Sequence, residues 1–255
     1  MVIAVQNINP LYFFQPLITI AFSAGLVVYW HLKRRFTAWT FLCSLIAYVG
    51  AIACKVVFQA ITFSALMTSF HGDLSILGVY FGAQTVVFEV GGSYVVAAQA
   101  VSRGKLTTKD SEAYGLGLAF WENAGYIGIL GLFSLLSIYL TLSVGTTSSV
   151  ALYSNLVANR PALFYPPSQA LPLVGFSILE RVTSLLFHFC WGYLCLLSAL
   201  THKRFYFLVA LPMGLLDFFI PYANYLGIPI FELFIYALGL VTLGITLFIT
   251  KGARR

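Results

Sequence analysis

Four ionisable residues stand inside stretches of sequence that are otherwise almost wholly apolar: Glu89, Glu122, His188 and Asp217. Carboxylates and an imidazole move protons near neutral pH. Acids grouped with a histidine can therefore activate a water molecule or relay a proton. Such groups are costly in lipid, and they face a partner or a wet cavity when they occur there. The runs around them are long and free of charge, which points to membrane-spanning helices as the elements that carry them.

Composition supports that reading. The chain has 255 residues, 60% of them hydrophobic and 9% charged, with a mean hydropathy of +0.91. A soluble domain carries charge on about a quarter of its residues. Soluble enzymes, nucleic-acid binders and secreted disulfide scaffolds are excluded on that ground. In lipid only helices and closed barrels satisfy every backbone amide, and the unbroken runs do not alternate as barrel strands do. An all-α, polytopic membrane helical bundle follows, forming a single integral membrane domain over residues 1–255. A span needs about 20 apolar residues, and seven are read here, at about 11–30, 38–59, 75–100, 114–144, 171–200, 205–222 and 229–250. Residues 60–73 are apolar yet too short to cross, and are expected to lie at the interface or to re-enter the bundle.

Basic residues assign the sidedness. Lys33, Arg34 and Arg35 follow the first span, and Arg103, Lys105 and Lys109 the third. Lys203 and Arg204 follow the fifth, and Lys251, Arg254 and Arg255 the seventh. The opposite loops hold Arg160, with Lys55 near the end of the second span. An N-terminus outside and a C-terminus in the cytoplasm are expected, in a multi-pass protein of the cell membrane. No basic segment precedes the first apolar run, so no cleaved signal is expected. Cys43, Cys54, Cys190 and Cys195 all fall inside spans and read as small buried hydrophobes. No metal site and no cofactor is expected from their spacing. Residues 145–170 read as a polar outer loop, and 102–112 as a solvated inner connection.

Converted to depth at 1.5 Å per residue, Glu89, Glu122, His188 and Asp217 all lie roughly 15–20 Å from the inner surface. They form one polar layer near the midplane. A shallower outer group contains Glu180, Arg181 and Glu232. Arg181 and His188 are seven apart and share a helix face. Glu180 and Arg181 are sequence neighbours, so each is expected to pair with another helix, Glu232 being a candidate. Span four also carries small residues at Gly117, Ala124, Gly125, Gly128 and Gly131, a face for close helix packing or for a partner helix.

At these residues the chain resembles a superfamily of intramembrane peptidases. It contains bacterial and archaeal membrane peptidases related to type II CAAX prenyl proteases, and the scaffold subunit of gamma-secretase. The resemblance rests on FEVGGSY at 88–94, YGLGLAFWE at 114–122, ERVTSLLFHFCWG at 180–192 and MGLLD at 213–217. In those peptidases a second glutamate follows the first, where this chain has Val90. A histidine precedes the acid of span four where this chain has Leu118, and another stands where it has Met213. The Glu180, Arg181 and His188 motif is intact.

The resemblance with these departures implies a degenerate site and a role as scaffold or assembly subunit, partnered by the lipid bilayer and by another membrane protein or transmembrane helix. An active intramembrane peptidase using Glu89, Glu122 and His188 is the alternative. A small transporter with a midplane polar site is the third reading, from another functional class.

Overall fold

The computed structural model describes residues 5–33 and 35–251, so Arg34, Arg254 and Arg255 of the basic ends lie outside the described residues. Among the described residues, seven helices are long and apolar enough to cross a membrane: Pro10–Leu32, Ala38–Phe70, Leu74–Ser102, Thr108–Val144, Pro167–Thr201, Arg204–Leu226 and Ile228–Thr250. They are numbered below as spans one to seven. Among the described residues there is no strand.

Local chemistry sets the helix ends. Thr37 and Thr40 form a reciprocal capping box at the start of span two, and Asp73 accepts from the Ser75 and Ile76 amides at the start of span three. Such caps satisfy backbone donors that have no intrahelical acceptor. Span two ends where His71 and Gly72 adopt positive φ.

Two expectations about the connections change. Residues 60–70 continue span two, which runs for 33 residues without a break. No glycine or proline interrupts them, and the hydroxyls of Thr62 and Thr68 bond back to the carbonyls of Phe58 and Ser64 at 2.7 and 2.9 Å. Lys55 consequently stands in mid-helix rather than near a span end. The expected outer loop contains the helix Thr147–Asn159 and the short turn Pro161–Phe164. Ile8, Leu142 and Leu156 pack there as a small separate core.

The connection expected on the inner side is also less solvated than its composition implies. Asp110 is buried and accepts from Thr40 Oγ1 at 2.7 Å, Thr107 N at 2.8 Å and Thr107 Oγ1 at 2.9 Å. It ties the start of span four to the start of span two.

Span five is the axis of the bundle. In its most apolar stretch 83% of residues are buried, against 33% or less in the other six spans. Span four lies against it without intervening side chains. A Cβ added at Gly115 would sit 2.3 Å from the Phe189 carbonyl oxygen, and one at Gly192 would sit 2.6 Å from Gly115 Cα.

Apart from short 3-10 turns at the starts of spans one and four, three spans depart from α geometry, and each of these departures contains one member of the polar layer. Thr85–Gly91, with Glu89, and Trp121–Gly128, with Glu122, are π-helical. Leu211–Tyr222, with Asp217, is a 3-10 helix framed by Pro212 and Pro221. Long 3-10 and π stretches are uncommon and concentrate at functional or strained positions.

The close span four–span five contact makes a direct prediction. Gly192→Ala should lower stability by about 1–3 kcal/mol, because the added methyl meets backbone that cannot step aside. Gly131→Ala, into open space, should be neutral or raise stability by up to about 1 kcal/mol through helix propensity. Thermal melting of the two variants in the same detergent measures the difference.

Candidate active site

Spans two to seven enclose a cavity of about 270 Å³ whose lining includes Lys55, Glu89, Glu122, Arg181, His188 and Asp217. Tyr48, Ile52, Phe231 and Ile235 supply apolar wall. Tyr126 and Ile220 line the same cavity while about half exposed, so the cavity lining reaches the surface of the bundle at spans four and six.

His188 is at the centre. Its Nε2 lies 2.7 Å from Glu122 Oε2 and 3.2 Å from Glu89 Oε2, and its Nδ1 lies 3.0 Å from the Ser184 carbonyl oxygen. An imidazolium donates from both nitrogens, here to the Ser184 carbonyl and to Glu89 Oε2, while Glu122 Oε2 meets it as an ion pair without a hydrogen bond of its own. The ring packs between Tyr48 and Trp191, with centroids 6.3 and 4.2 Å away.

Lys55 reaches the layer from span two. Its Nζ donates to Thr85 Oγ1 at 2.7 Å, to Asp217 Oδ2 at 3.1 Å and to Glu89 Oε1. Thr85 Oγ1 also donates to Asp217 Oδ2. Asp217 therefore joins the site through Lys55 and Thr85. A 3-10 helix rises about 2.0 Å per residue rather than 1.5, which carries Asp217 farther along its span than α spacing would. Its three-residue turn also aligns Gly214 with Asp217, and Gly214 packs on the Val86 backbone of span three.

On the other side, Arg181 Nη1 lies 3.4 Å from Glu122 Oε1, and Nη2 pairs with Glu180 Oε1. Sequence neighbours on a helix diverge at Cβ, but the long arginine side chain swings back, so the expected separation of Glu180 and Arg181 does not hold. Arg181 and His188 do share a face, since both touch Glu122. Glu232 is not the partner of Arg181. It is buried and lines the cavity, and its Oε2 has no hydrogen-bond partner.

The groups form an alternating series: Asp217, Lys55, Glu89, His188, Glu122, Arg181, Glu180. Lys55, Thr85 and Ser184 were not legible as members from sequence. The available signal was that no other charged residue stands between Arg35 and Asp73, so Lys55 is the lone charge of a long apolar run. Leu118 and Met213, at the positions of the expected histidines, belong to the apolar core.

The small-residue face of span four is divided. Gly117 abuts Ser44 of span two, Gly128 abuts Ile20 of span one, Gly125 abuts Trp121 of its own helix, and Gly131 faces open space. Ala124 is buried. A seven-residue repeat marks one face only on a regular α-helix. The π-helical stretch Trp121–Gly128 shifts that register, so the expected single face is not formed.

Among the described residues, no group of three or more His, Cys, Asp or Glu side chains is disposed to hold a metal ion. His188 Nε2 points at carboxylate oxygen, and Lys55 and Arg181 take up carboxylate oxygens that a metal would need.

A buried acceptor without a donor costs about 1–3 kcal/mol. Glu232→Met, similar in shape and without the carboxylate, should therefore raise stability by about 1 kcal/mol, seen as a melting temperature a few degrees higher in detergent.

No curated protein and no solved structure matches the chain. A family model described as YhfC intramembrane metalloprotease matches residues 18–234. With most of its length matched, and with an acid–histidine cavity inside a bundle of apolar helices, the chain belongs to the YhfC intramembrane metalloprotease family.

Proposed function

We propose that this chain is a working intramembrane peptidase, with Glu89 as general base and His188 as the proton carrier. The observation that supports it most is the placement of one imidazole within 3.2 Å of Glu89 and 2.7 Å of Glu122 inside a membrane-depth cavity. The departures that favour a degenerate site in sequence concern positions buried in the apolar core. The acids and the histidine that remain converge.

The family's name implies a metal ion. The donors present do not fit one, because their coordinating atoms already face cations of the chain, and no step is assigned to a metal. In the proposed reaction Glu89 takes a proton from water as its oxygen attacks the scissile carbonyl carbon. Charge developing on the carbonyl oxygen is stabilised by the cations lining the cavity, Lys55 and Arg181. The carbon–nitrogen bond breaks as His188 gives its proton to the leaving amine. Glu89 then returns its proton to His188 across their 3.2 Å contact, which restores the starting state. Glu122 and the Ser184 carbonyl hold the ring in place throughout. The half-exposed Tyr126 and Ile220 at the cavity mouth favour a substrate that enters from the bilayer, such as a transmembrane segment.

A scaffold or assembly role is the second reading, favoured by the open space around Gly131, where a partner helix could approach closely.

The test needs no known substrate. Proteoliposomes carrying wild type or Glu89→Gln are incubated with solubilised membrane proteins, and newly formed N-termini are compared. A general base contributes about 10²–10⁴-fold, so cleavage should fall by that factor in Glu89→Gln, and likewise in His188→Gln, with folding retained by circular dichroism. Identical N-terminal profiles for wild type and variants would remove the peptidase reading. A second membrane protein held at fixed stoichiometry would then establish the scaffold.

A further inference from the structure

The family's name calls for a metal, yet the acids of this site are organised around a cation that the chain itself provides. We infer that Lys55 is the resident cation of the site, filling the place between Glu89 and Asp217 that a divalent ion would take.

The argument starts from valence. An ammonium has three N–H donors and no acceptor. Lys55 Nζ meets three acceptors, Thr85 Oγ1, Glu89 Oε1 and Asp217 Oδ2, from spans three and six. The site is thus shaped for a point cation on a stem, and all three donors are used. Thr85 also donates to Asp217, which completes the ring of contacts around the lysine.

The carboxylates of the polar layer itself are largely taken by cations of the chain. Of the six carboxylate oxygens on Glu89, Glu122 and Asp217, five face a cation of the chain: two face His188, two Lys55 and one Arg181. A metal placed here would have to displace Lys55 and strip the His188 Nε2 proton, and it would sit beside like charge.

Lys55 cannot withdraw easily. It lies in the middle of a 33-residue helix, whose start is anchored by Asp110 to the connection before span four. The side chain is 13% exposed, so removing the ammonium would leave the buried Glu89 and the partly buried Asp217 without their shared cation.

The experiment uses the full-length protein in detergent, expressed in medium supplemented with zinc, iron and manganese. Metal content is measured by mass spectrometry, and melting temperature with and without EDTA. The expected result is far less than one metal per chain and a melting temperature unmoved by EDTA. Lys55→Ala should melt roughly 6–20 °C lower, and added zinc, entering the vacated space, should raise it again while leaving wild type unchanged. One tightly held metal per wild-type chain, with melting lowered on its removal, would overturn the inference. So would a Lys55→Ala protein that melts like wild type. If Lys55→Ala does not fold, the metal content and EDTA response of wild type decide by themselves. Neither readout depends on cleavage, so a metal-free, lysine-held protein without proteolytic activity would keep this inference and remove the peptidase reading.

Discussion

Buried charge in lipid is tolerated only where each charge meets its opposite, and that constraint organises this bundle. Asp217, Lys55, Glu89, His188, Glu122, Arg181 and Glu180 alternate in sign across spans two to six. No member is satisfied by its own helix alone except the Glu180–Arg181 pair. The series therefore acts as a cross-brace that links five spans, and it fixes their rotation as well as their spacing. Isolated ion pairs are weak evidence of stability, because desolvation offsets the attraction. A connected series differs in one respect: losing any inner member uncovers two neighbours.

The backbone is bent to serve that series. Glu89 and Glu122 lie in π-helical stretches and Asp217 in a 3-10 helix. Regular α-helices would set these acids at different angles. Widening two helices and stretching a third brings their carboxylates to a lysine and a histidine on neighbours that stay α-helical. Span five supplies the fixed reference, since it is buried along most of its length and meets span four backbone to backbone at Gly115 and Gly192. The precision of the site rests on this contact, because Glu122 and His188 belong to the two helices it joins.

Much of the candidate site was legible in the sequence for a simple reason. An ionisable residue within a 20-residue apolar run is conspicuous, and its count from the span end is a depth. Glu89, Glu122 and His188 were found in this way. Lys55 was not, because a second span ending at residue 59 places it near the interface, where a lysine is unremarkable. The helix in fact continues to Phe70, and the hydroxyls of Thr62 and Thr68 bond back to the preceding turn. The pairing of Arg181 with Glu180 was missed because reasoning from Cβ directions ignores the reach of a long side chain.

Composition and hydropathy by themselves determined the seven-span helical bundle, since a chain with 9% charged residues has no other way to satisfy its backbone and surface. They also determined which residues share a depth, since rise per residue is a local property of a helix. Which residues touch was decided only by the tertiary structure. Contact depends on helix rotation, and rotation here is set by two π-helical stretches, a 3-10 span and one glycine-lined crossing, none of which a period of 3.6 can anticipate. That Asp217 meets Lys55 instead of His188, and that Gly131 faces open space while Gly117 and Gly128 abut other spans, both follow from those departures.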